Sequence, residues 1–243
     1  MSIGSADVDG LTRVALEWGA AGARSLTDGT PDDVIVVIDV LSFSTSVVLA
    51  CEKGATVWPH PGGEQAHTLA RSLEAVLAGG RTHREGPSLS PSSMVELSQG
   101  ARLVLPSPNG SAITHALRGT SCAVVAGCLL NAAAVARFVQ GFRRVLLVPG
   151  GERWPDGSLR FAYEDLVGAG AVADRLLELA PGVQLSPEAD VARLAFQHRQ
   201  PLSLTPSANE LVERDFADDV QLASQLDASA TVPVLRDGHF EAA

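Results

Sequence analysis

The chain has 243 residues, of which 46% are hydrophobic and 19% are charged, a composition typical of folded globular proteins. Its formal net charge of −10 argues against a nucleic acid partner, because such binding depends on clustered lysine and arginine. No segment stays apolar over the roughly 18 residues that span a bilayer, and the N-terminal residues lack the features of a signal peptide. We therefore expect a cytoplasmic protein without membrane contact, built as one domain over residues 1–243.

The first strong element is an apolar, β-branched run that ends in a carboxylate, Asp39. A continuous run of this kind is typical of a strand buried on both faces, as in a parallel sheet. We predict a strand over residues 34–39, followed by a helix over residues 44–53 that stops at Gly54. Residues 1–33 are polar and rich in glycine and alanine, apart from one apolar patch at 14–18.

The rest of the chain alternates between short apolar runs and amphipathic stretches. Further strands are predicted at 55–58, 103–105, 122–126 and 145–148, and helices at 63–77, 112–117, 132–140 and 163–179. A long loop is expected at 81–98, a helical tail at 187–226, and an edge strand or hairpin at 232–235 and 239–240. Because strands and helices alternate regularly, we predict a three-layer α/β/α sandwich with a mostly parallel sheet.

Four of the predicted strands are expected to be buried, at 34–39, 103–105, 122–126 and 145–148. Polar, turn-forming residues follow each of them, and ligands bind at such strand ends in open α/β sheets. The residues that we predict to bind a substrate oxyanion are Ser42, Ser44, Thr45, Ser46, Asn109, Gly110, Ser111 and Asn131. Several helix N-termini facing one crevice would supply free N–H donors and positive dipole ends for a phosphate or sulfonate. A purely structural role as helix N-cap stays open for Ser44, Asn109 and Asn131.

Three carboxylates in these segments have the chemistry of metal ligands. Asp39 ends the first buried strand, where aspartate is unusual, and Glu164 and Asp165 begin the helix predicted at 163–179. Such hard oxygen ligands suit Mg²⁺, which takes one or two carboxylates together with substrate oxygens and water. Alternatively, Glu164 and Asp165 complement the helix dipole, and Glu152 is interpreted as half of a solvated loop pair with its neighbour Arg153.

Several common catalytic motifs are missing from the sequence. There is no P-loop, no dinucleotide-binding G-x-G-x-x-G and no G-x-S-x-G nucleophile elbow. The histidines show no metal-ligand spacing, and His83 is interpreted as a surface residue of the long loop. The three cysteines lack C-x-x-C spacing, which favours small buried side chains in a reducing cytosol.

Taken in order, these segments resemble the 2-phosphosulfolactate phosphatase family over about residues 34–240. The matching stretches are Val37–Leu41 with Ser44-Thr45, Pro108–Ser111, Leu129–Ala132, Glu164-Asp165 with Gly168–Gly170, Asp215–Val220, Asp227 and Val232–Leu235. The resemblance implies an α/β/α sandwich and the Mg²⁺-dependent hydrolysis of phosphosulfolactate to sulfolactate and phosphate. In methanogens this step belongs to coenzyme M synthesis.

The chain departs from the family's pattern at two positions. Ser42 stands where the family usually has arginine, and Ser88 stands where the family's loop motif has aspartate. An arginine at an anion site provides a charged, bidentate clamp, and an aspartate raises the negative charge of a metal site. We count Ser88 with the predicted substrate-binding residues, since a hydroxyl still binds an oxyanion without charge.

The leading hypothesis is therefore a cytoplasmic Mg²⁺-dependent phosphatase acting on a small phosphorylated acid. Asp39 would hold the metal or orient the nucleophile, and Glu164 and Asp165 would be further metal ligands or a general base. The two departures motivate an alternative, a catalytically degenerate relative that binds a small anion or metabolite without turnover. A hydrolase with a serine nucleophile is a third hypothesis. Sheet edges and apolar C-terminal helices make a homodimer plausible.

Overall fold

A ten-stranded sheet forms the centre of the computed structural model, which describes residues 11–26, 29–82 and 85–243. The strands are β1 (Arg13–Leu16), β2 (Asp33–Ile38), β3 (Thr56–His60), β4 (Val76–Leu77), β5 (Arg102–Pro106), β6 (Ala123–Gly127), β7 (Arg144–Pro149), β8 (Glu152–Arg153), β9 (Leu159–Arg160), β10 (Gln184–Leu185), β11 (Pro233–Arg236) and β12 (His239–Ala242). The helices are α1 (Gly19–Ala23), α2 (Phe43–Glu52), α3 (Glu64–Ser72), α4 (Pro91–Val95), α5 (Gly110–Ala116), α6 (Ala132–Val139), α7 (Tyr163–Leu179), α8 (Pro187–Gln197), α9 (Pro206–Val212) and α10 (Ala217–Ala223).

The sheet consists of two parallel groups joined by an antiparallel hairpin. Its order is β10-β1-β7-β2-β6-β11-β12-β3-β5-β4, and β8 and β9 form a separate two-stranded sheet. The first five strands are mutually parallel, and so are the last three. The β11–β12 hairpin pairs antiparallel with β6 through Val234 and Val125, and with β3 through Phe240 and Val57.

The two faces of β2 show why the molecule has three layers. All six residues of β2 are buried, and successive side chains point to opposite faces of the sheet. Val36 and Ile38 pack into the core beneath α6, α7 and α8, whereas Ile35 and Val37 pack into the core beneath α1 and α5. An unbroken apolar run is therefore required, and the predicted α/β/α sandwich with a mostly parallel sheet is confirmed.

Several predicted elements differ in extent from the observed ones. The helix predicted at 63–77 ends at Ser72, and its last residues form β4. The loop predicted at 81–98 contains α4, and the patch at 14–18 contributes to β1, an interior strand between β10 and β7. The hairpin predicted at the C-terminus lies inside the sheet and not at its edge. His83 lies outside the described residues.

Two further features bear on the predicted class of protein. Within the described ranges, no helix has both the length and the apolar character that crossing a membrane requires. The three cysteines are free and buried, as predicted.

Candidate active site

Four carboxylates come together just beyond the carboxyl end of β2. Asp39 follows β2, Glu152 lies in β8, and Glu164 and Asp165 open α7. A Cβ atom added at Gly150 would lie 3.4 Å from both the Asp165 carboxylate and the Asp39 Cβ. The three carboxylates predicted from the sequence are therefore neighbours, and Glu152 joins them.

Asp39 is held by the first backbone N–H groups of two helices. Its Oδ1 accepts from the Phe43 N–H of α2 at 3.1 Å, and its Oδ2 accepts from the Gly110 N–H of α5 at 2.9 Å. Burial nevertheless raises the pKa of Asp39, because it outweighs these hydrogen bonds, and the nearby charge of Glu164 raises this pKa further. The strand end thus presents a carboxylate that is rigidly oriented and costly to ionise.

Asp165 joins the ends of two neighbouring strands. Its Oδ1 accepts from the Val40 N–H at 2.7 Å, and its Oδ2 accepts from the Gly151 N–H at 2.8 Å. Burial raises the pKa of Asp165 well above its usual range, and the charges of Asp39 and Glu164 raise it further. α7 approaches β2 closely because Gly168 has no side chain: a Cβ there would lie 2.7 Å from Val40 Cγ2.

Glu164 and Asn109 each leave one buried oxygen atom unpaired. Glu164 is 1% exposed. Its Oε2 and the Oδ1 of Asn109 have no hydrogen-bond partner among the described residues. Buried polar atoms are rarely left without a partner, so such atoms beside other carboxylates indicate a place for a ligand.

Glu152 belongs to this cluster, and its interpretation as a solvated loop pair with Arg153 is wrong. Its side chain is partly buried, and Oε2 accepts from Asn109 Nδ2 at 3.1 Å. Burial raises the pKa of Glu152 to about 7, and the charge of Asp39 contributes to the same effect, opposed by Arg160. Its position two residues after Gly150, at the end of a buried strand, was the sequence signal that could have identified it.

The predicted hydroxyl residues after β2 and β5 are buried, and their hydroxyl groups donate hydrogen bonds to backbone carbonyls. The hydroxyls of Ser44, Thr45, Ser46 and Ser111 donate to the carbonyls of Val37, Val40, Leu89 and Leu105, respectively, at 2.8–3.1 Å. The bonds to Val37, Val40 and Leu105 hold α2 and α5 to the preceding strand ends, and the Ser46 bond holds α2 to the long loop. Phosphate binding by these hydroxyls stays a prediction. To donate to a phosphate, each hydroxyl would have to give up its bond to the backbone carbonyl.

Two further predicted residues make bonds to other parts of the chain. The Asn131 side chain bonds to the backbone of Cys128, Ala126 and Thr231. Within the long loop, the Ser88 hydroxyl donates to the Ser93 hydroxyl and accepts from the Ser90 N–H. Within the described residues, the hydrogen bonds of these two side chains go to those partners and not to the four carboxylates.

The structure does not bear out an N-cap role for the side chains of these residues. Asn109 and Asn131 occupy the N-cap positions of α5 and α6, although neither side chain bonds to its helix. Ser44 lies inside α2, whose N-cap residue is Ser42.

A positive charge that the sequence reasoning missed reaches the site from the long loop. Arg81 donates from Nη2 to the Ser42 hydroxyl at 2.7 Å, and its Nη1 bonds to Asp219 Oδ2 at 2.7 Å. The charge of Arg81 lowers the pKa of Asp39 and partly offsets its burial. Ser42 thus contacts an arginine although it stands where the resembled family usually has one.

The donor set is compatible with a hard divalent cation. In the described part of the chain, no three histidine, cysteine or acidic side chains already stand in a metal-binding arrangement. Mg²⁺ needs fewer protein ligands than that, because it takes one or two carboxylates and completes its shell with water and substrate oxygens. The unpaired oxygens of Glu164 and Asn109, beside Asp39 and Asp165, are oxygen ligands of this kind.

The structure defines an α/β/α protein with a cluster of carboxylates near the carboxyl ends of its parallel strands. The family model described as 2-phosphosulpholactate phosphatase matches residues 23–238. The chain belongs to this family of phosphoric monoester hydrolases, as the sequence predicted.

Curated relatives match along most of their length. A probable 2-phosphosulfolactate phosphatase of Deinococcus radiodurans is 31% identical, covering 88% of this chain and 92% of the relative. A probable 2-phosphosulfolactate phosphatase of Carboxydothermus hydrogenoformans is 30% identical, with coverages of 86% and 88%. A 2-phosphosulfolactate phosphatase of Methanothermobacter thermautotrophicus is 28% identical, with coverages of 85% and 88%.

Proposed function

We propose that this protein hydrolyses the phosphate monoester of a small phosphorylated acid of the phosphosulfolactate type, with Mg²⁺ bound in the carboxylate cluster. The observation that carries the proposal is the convergence of Asp39, Glu152, Glu164 and Asp165 at one edge of the sheet, in a chain that belongs to a phosphatase family. The alternative of a relative without turnover is not favoured, because the matched relatives carry the phosphatase name over most of their length.

Mg²⁺ would be held by Asp39, Glu164 and Asp165, with Asn109 Oδ1 as a neighbouring neutral ligand. The unpaired Glu164 Oε2 makes this residue the strongest candidate of the set. When bound, the cation would offset the charge that develops on the transferring phosphoryl group, usually the largest part of catalysis in such sites. It would also relieve the mutual repulsion that raises the pKa of Asp165.

The protein's own groups supply orientation and proton transfer. Asp39 is fixed by two backbone N–H groups and can orient the attacking nucleophile. If Asp165 is not a metal ligand, its pKa well above that of a free aspartate would let it take up a proton as a general base. Glu152 has a pKa of about 7 and can therefore hold or release a proton near neutral pH.

The test is phosphate release from a panel of phosphorylated hydroxy acids, with Mg²⁺ and with EDTA. We expect release that requires Mg²⁺, and Asp39→Asn to lower kcat by roughly 100-fold or more, the scale of losing an oriented catalytic group. The matched control is Asp32→Asn, an exposed aspartate at the other end of the same strand, which should keep full activity. Unchanged turnover in Asp39→Asn would show that the assigned role is wrong.

The remaining proposals concern the state of the protein in the cell. A homodimer and a cytoplasmic location stay predictions, as does the absence of a nucleic acid partner. Light scattering coupled to gel filtration measures the first directly, because a dimer doubles the mass of 25.2 kDa.

A further inference from the structure

Arg81 is clamped between the long loop and the start of α2. Its Nη1 bonds to Asp219 and its Nη2 to Ser42, both at 2.7 Å, and its guanidinium lies 5.8 Å from the centre of the Phe216 ring. The side chain is only 16% exposed. A guanidinium has five N–H donors in a fixed plane, so bonds to these two partners leave donors of the same group for a ligand.

Asp219 is held in one orientation by bonds that do not involve the ligand site. It is fully buried in α10, and its Oδ1 accepts from the Ser90 hydroxyl at 2.6 Å and from the Ser92 N–H and hydroxyl at 3.0 and 2.8 Å. A buried ion pair adds little to stability after the cost of desolvation. The arrangement instead fixes where the guanidinium points.

The end of Arg81 that bonds to Ser42 is directly connected to the carboxylate cluster. Ser42 is the N-cap residue of α2, and the next residue, Phe43, donates its N–H to Asp39. Arg81 therefore brings a positive charge to the rim of the carboxylate cluster.

Arg81 also lines a cavity of about 780 Å³. Among the described residues, the charged ones that line this cavity with it are Arg102 and the four acids Glu74, Glu96, Asp215 and Asp218. An anionic group would be repelled there. On the Ser42 side, the proposed Mg²⁺ would offset the charge of the carboxylate cluster, so the substrate's acid group would bind Arg81 at that end.

We infer that Arg81 binds the second acid group of the substrate, the carboxylate or sulfonate that is not hydrolysed, and that Asp219 is the positioning residue that aims it. This inference rests on the proposed phosphatase function and assigns the recognition of the substrate's further anionic group to one side chain. Arg81 would contact the substrate, and the hydroxyl of Ser42 would lie beside this contact.

The test compares two substrates in the full-length protein. One is a phosphorylated hydroxy acid, and the other is p-nitrophenyl phosphate, a phosphate ester without a second acid group. For the acid substrate, Arg81→Gln should raise KM at least ~10-fold, the scale of losing a charged hydrogen bond. Any change in kcat should be the same for both substrates, because the charge of Arg81 also lowers the pKa of Asp39. Asp219→Asn should raise the same KM, and Arg81→Lys should restore part of the loss. For p-nitrophenyl phosphate, KM should stay within ~2-fold in all variants, because that substrate lacks the group that Arg81 recognises.

The controls separate recognition from folding. Arg236→Gln removes an exposed arginine that pairs with Glu241, and it should change neither substrate's kinetics. Denaturant unfolding of each variant shows whether the fold is kept, and Arg81→Lys covers the case in which Arg81→Gln does not fold. A general structural role for Arg81 would raise the KM of both substrates together, and that result would overturn the inference.

A binding measurement keeps the inference distinct from the proposed function. Calorimetry with sulfolactate, the dephosphorylated acid, should give a Kd at least ~10-fold weaker in Arg81→Gln than in the wild type. Equal Kd values would overturn the role of Arg81 even if the wild type releases phosphate. Absence of phosphate release in the wild type would contradict the proposed function, and a weaker Kd in the variant would still support Arg81 as the acid-binding residue.

Discussion

Replacing Glu152 by glutamine should flatten the pH dependence of stability in the absence of divalent cations. Burial and the charge of Asp39 raise the Glu152 pKa from its ordinary 4.5 to about 7. At about 1.4 kcal/mol per pH unit, this difference corresponds to about 3 kcal/mol of folding free energy. The value is an upper figure because the side chain is partly exposed.

The direction of this pH dependence follows from whether the folded or the unfolded protein binds the Glu152 proton more tightly. The pKa of Glu152 is higher in the folded protein than in the unfolded chain, so proton binding by Glu152 stabilises the fold. This contribution to stability is full below about pH 4.5 and is lost as the pH rises to about 7. The free energy of unfolding of the wild type should therefore fall across this range by about 3 kcal/mol more than that of Glu152→Gln. Glutamine keeps the size of the side chain and does not ionise.

The assay is urea unfolding of both proteins between pH 4.5 and 8 in EDTA, with the exposed Glu213→Gln as matched control. The control should follow the wild-type curve. Adding Mg²⁺ at pH 8 should then raise the wild-type midpoint, because a ligand that binds only the folded state stabilises it. Parallel pH curves for wild type and Glu152→Gln would refute the reasoning, since the ionised carboxylate would then cost nothing in the fold.

Two predictions concern the framework around the site. Gly110→Ala should cost about 1–3 kcal/mol in denaturant unfolding and lower activity, because its Cβ would overlap the aromatic ring that begins α2. Gly141→Ala, where the Cβ meets open space, is its control, and equal stability of the two variants would contradict the prediction. Asp33→Asn should lose about 2 kcal/mol at pH 7, since its bonds to Arg144 outweigh burial and lower its pKa to about 2. The wild type loses this contribution only as the pH falls from about 4 to about 2, and the exposed Asp32→Asn should show no such loss.

The periodicity of the sequence predicted most of the elements that position the site. The β-branched run before Asp39, the helix from Tyr163 to Leu179 and the strands at 103–105 and 145–148 all correspond to observed elements. Such patterns are local, because burial of a strand on two faces or a helix on one face imposes its own spacing on the chain. The extents of short elements were predicted less well, since β1 and β4 are strands through pairing with neighbours that lie far away in the sequence.

The residues of the candidate site divide in the same way, into those marked by local sequence signals and those that depend on distant contacts. Asp39, Glu164 and Asp165 were accessible to sequence reasoning because strand ends and helix starts are marked by local signals. Glu152 was misjudged because its charge environment comes from Asp39, more than a hundred residues earlier in the chain.

The sequence by itself therefore determined the layer architecture, the family and the edge of the sheet at which the carboxylates gather. Only the tertiary structure decided how the site is charged and oriented. Arg81 contacts Ser42 and Asp219, which are 39 and 138 residues away, and Gly110 donates to a carboxylate 71 residues earlier. Contacts of this kind arise from the crossing of β-strands and the docking of α10 on the long loop. No local periodicity encodes them, because each depends on the packing of the whole chain.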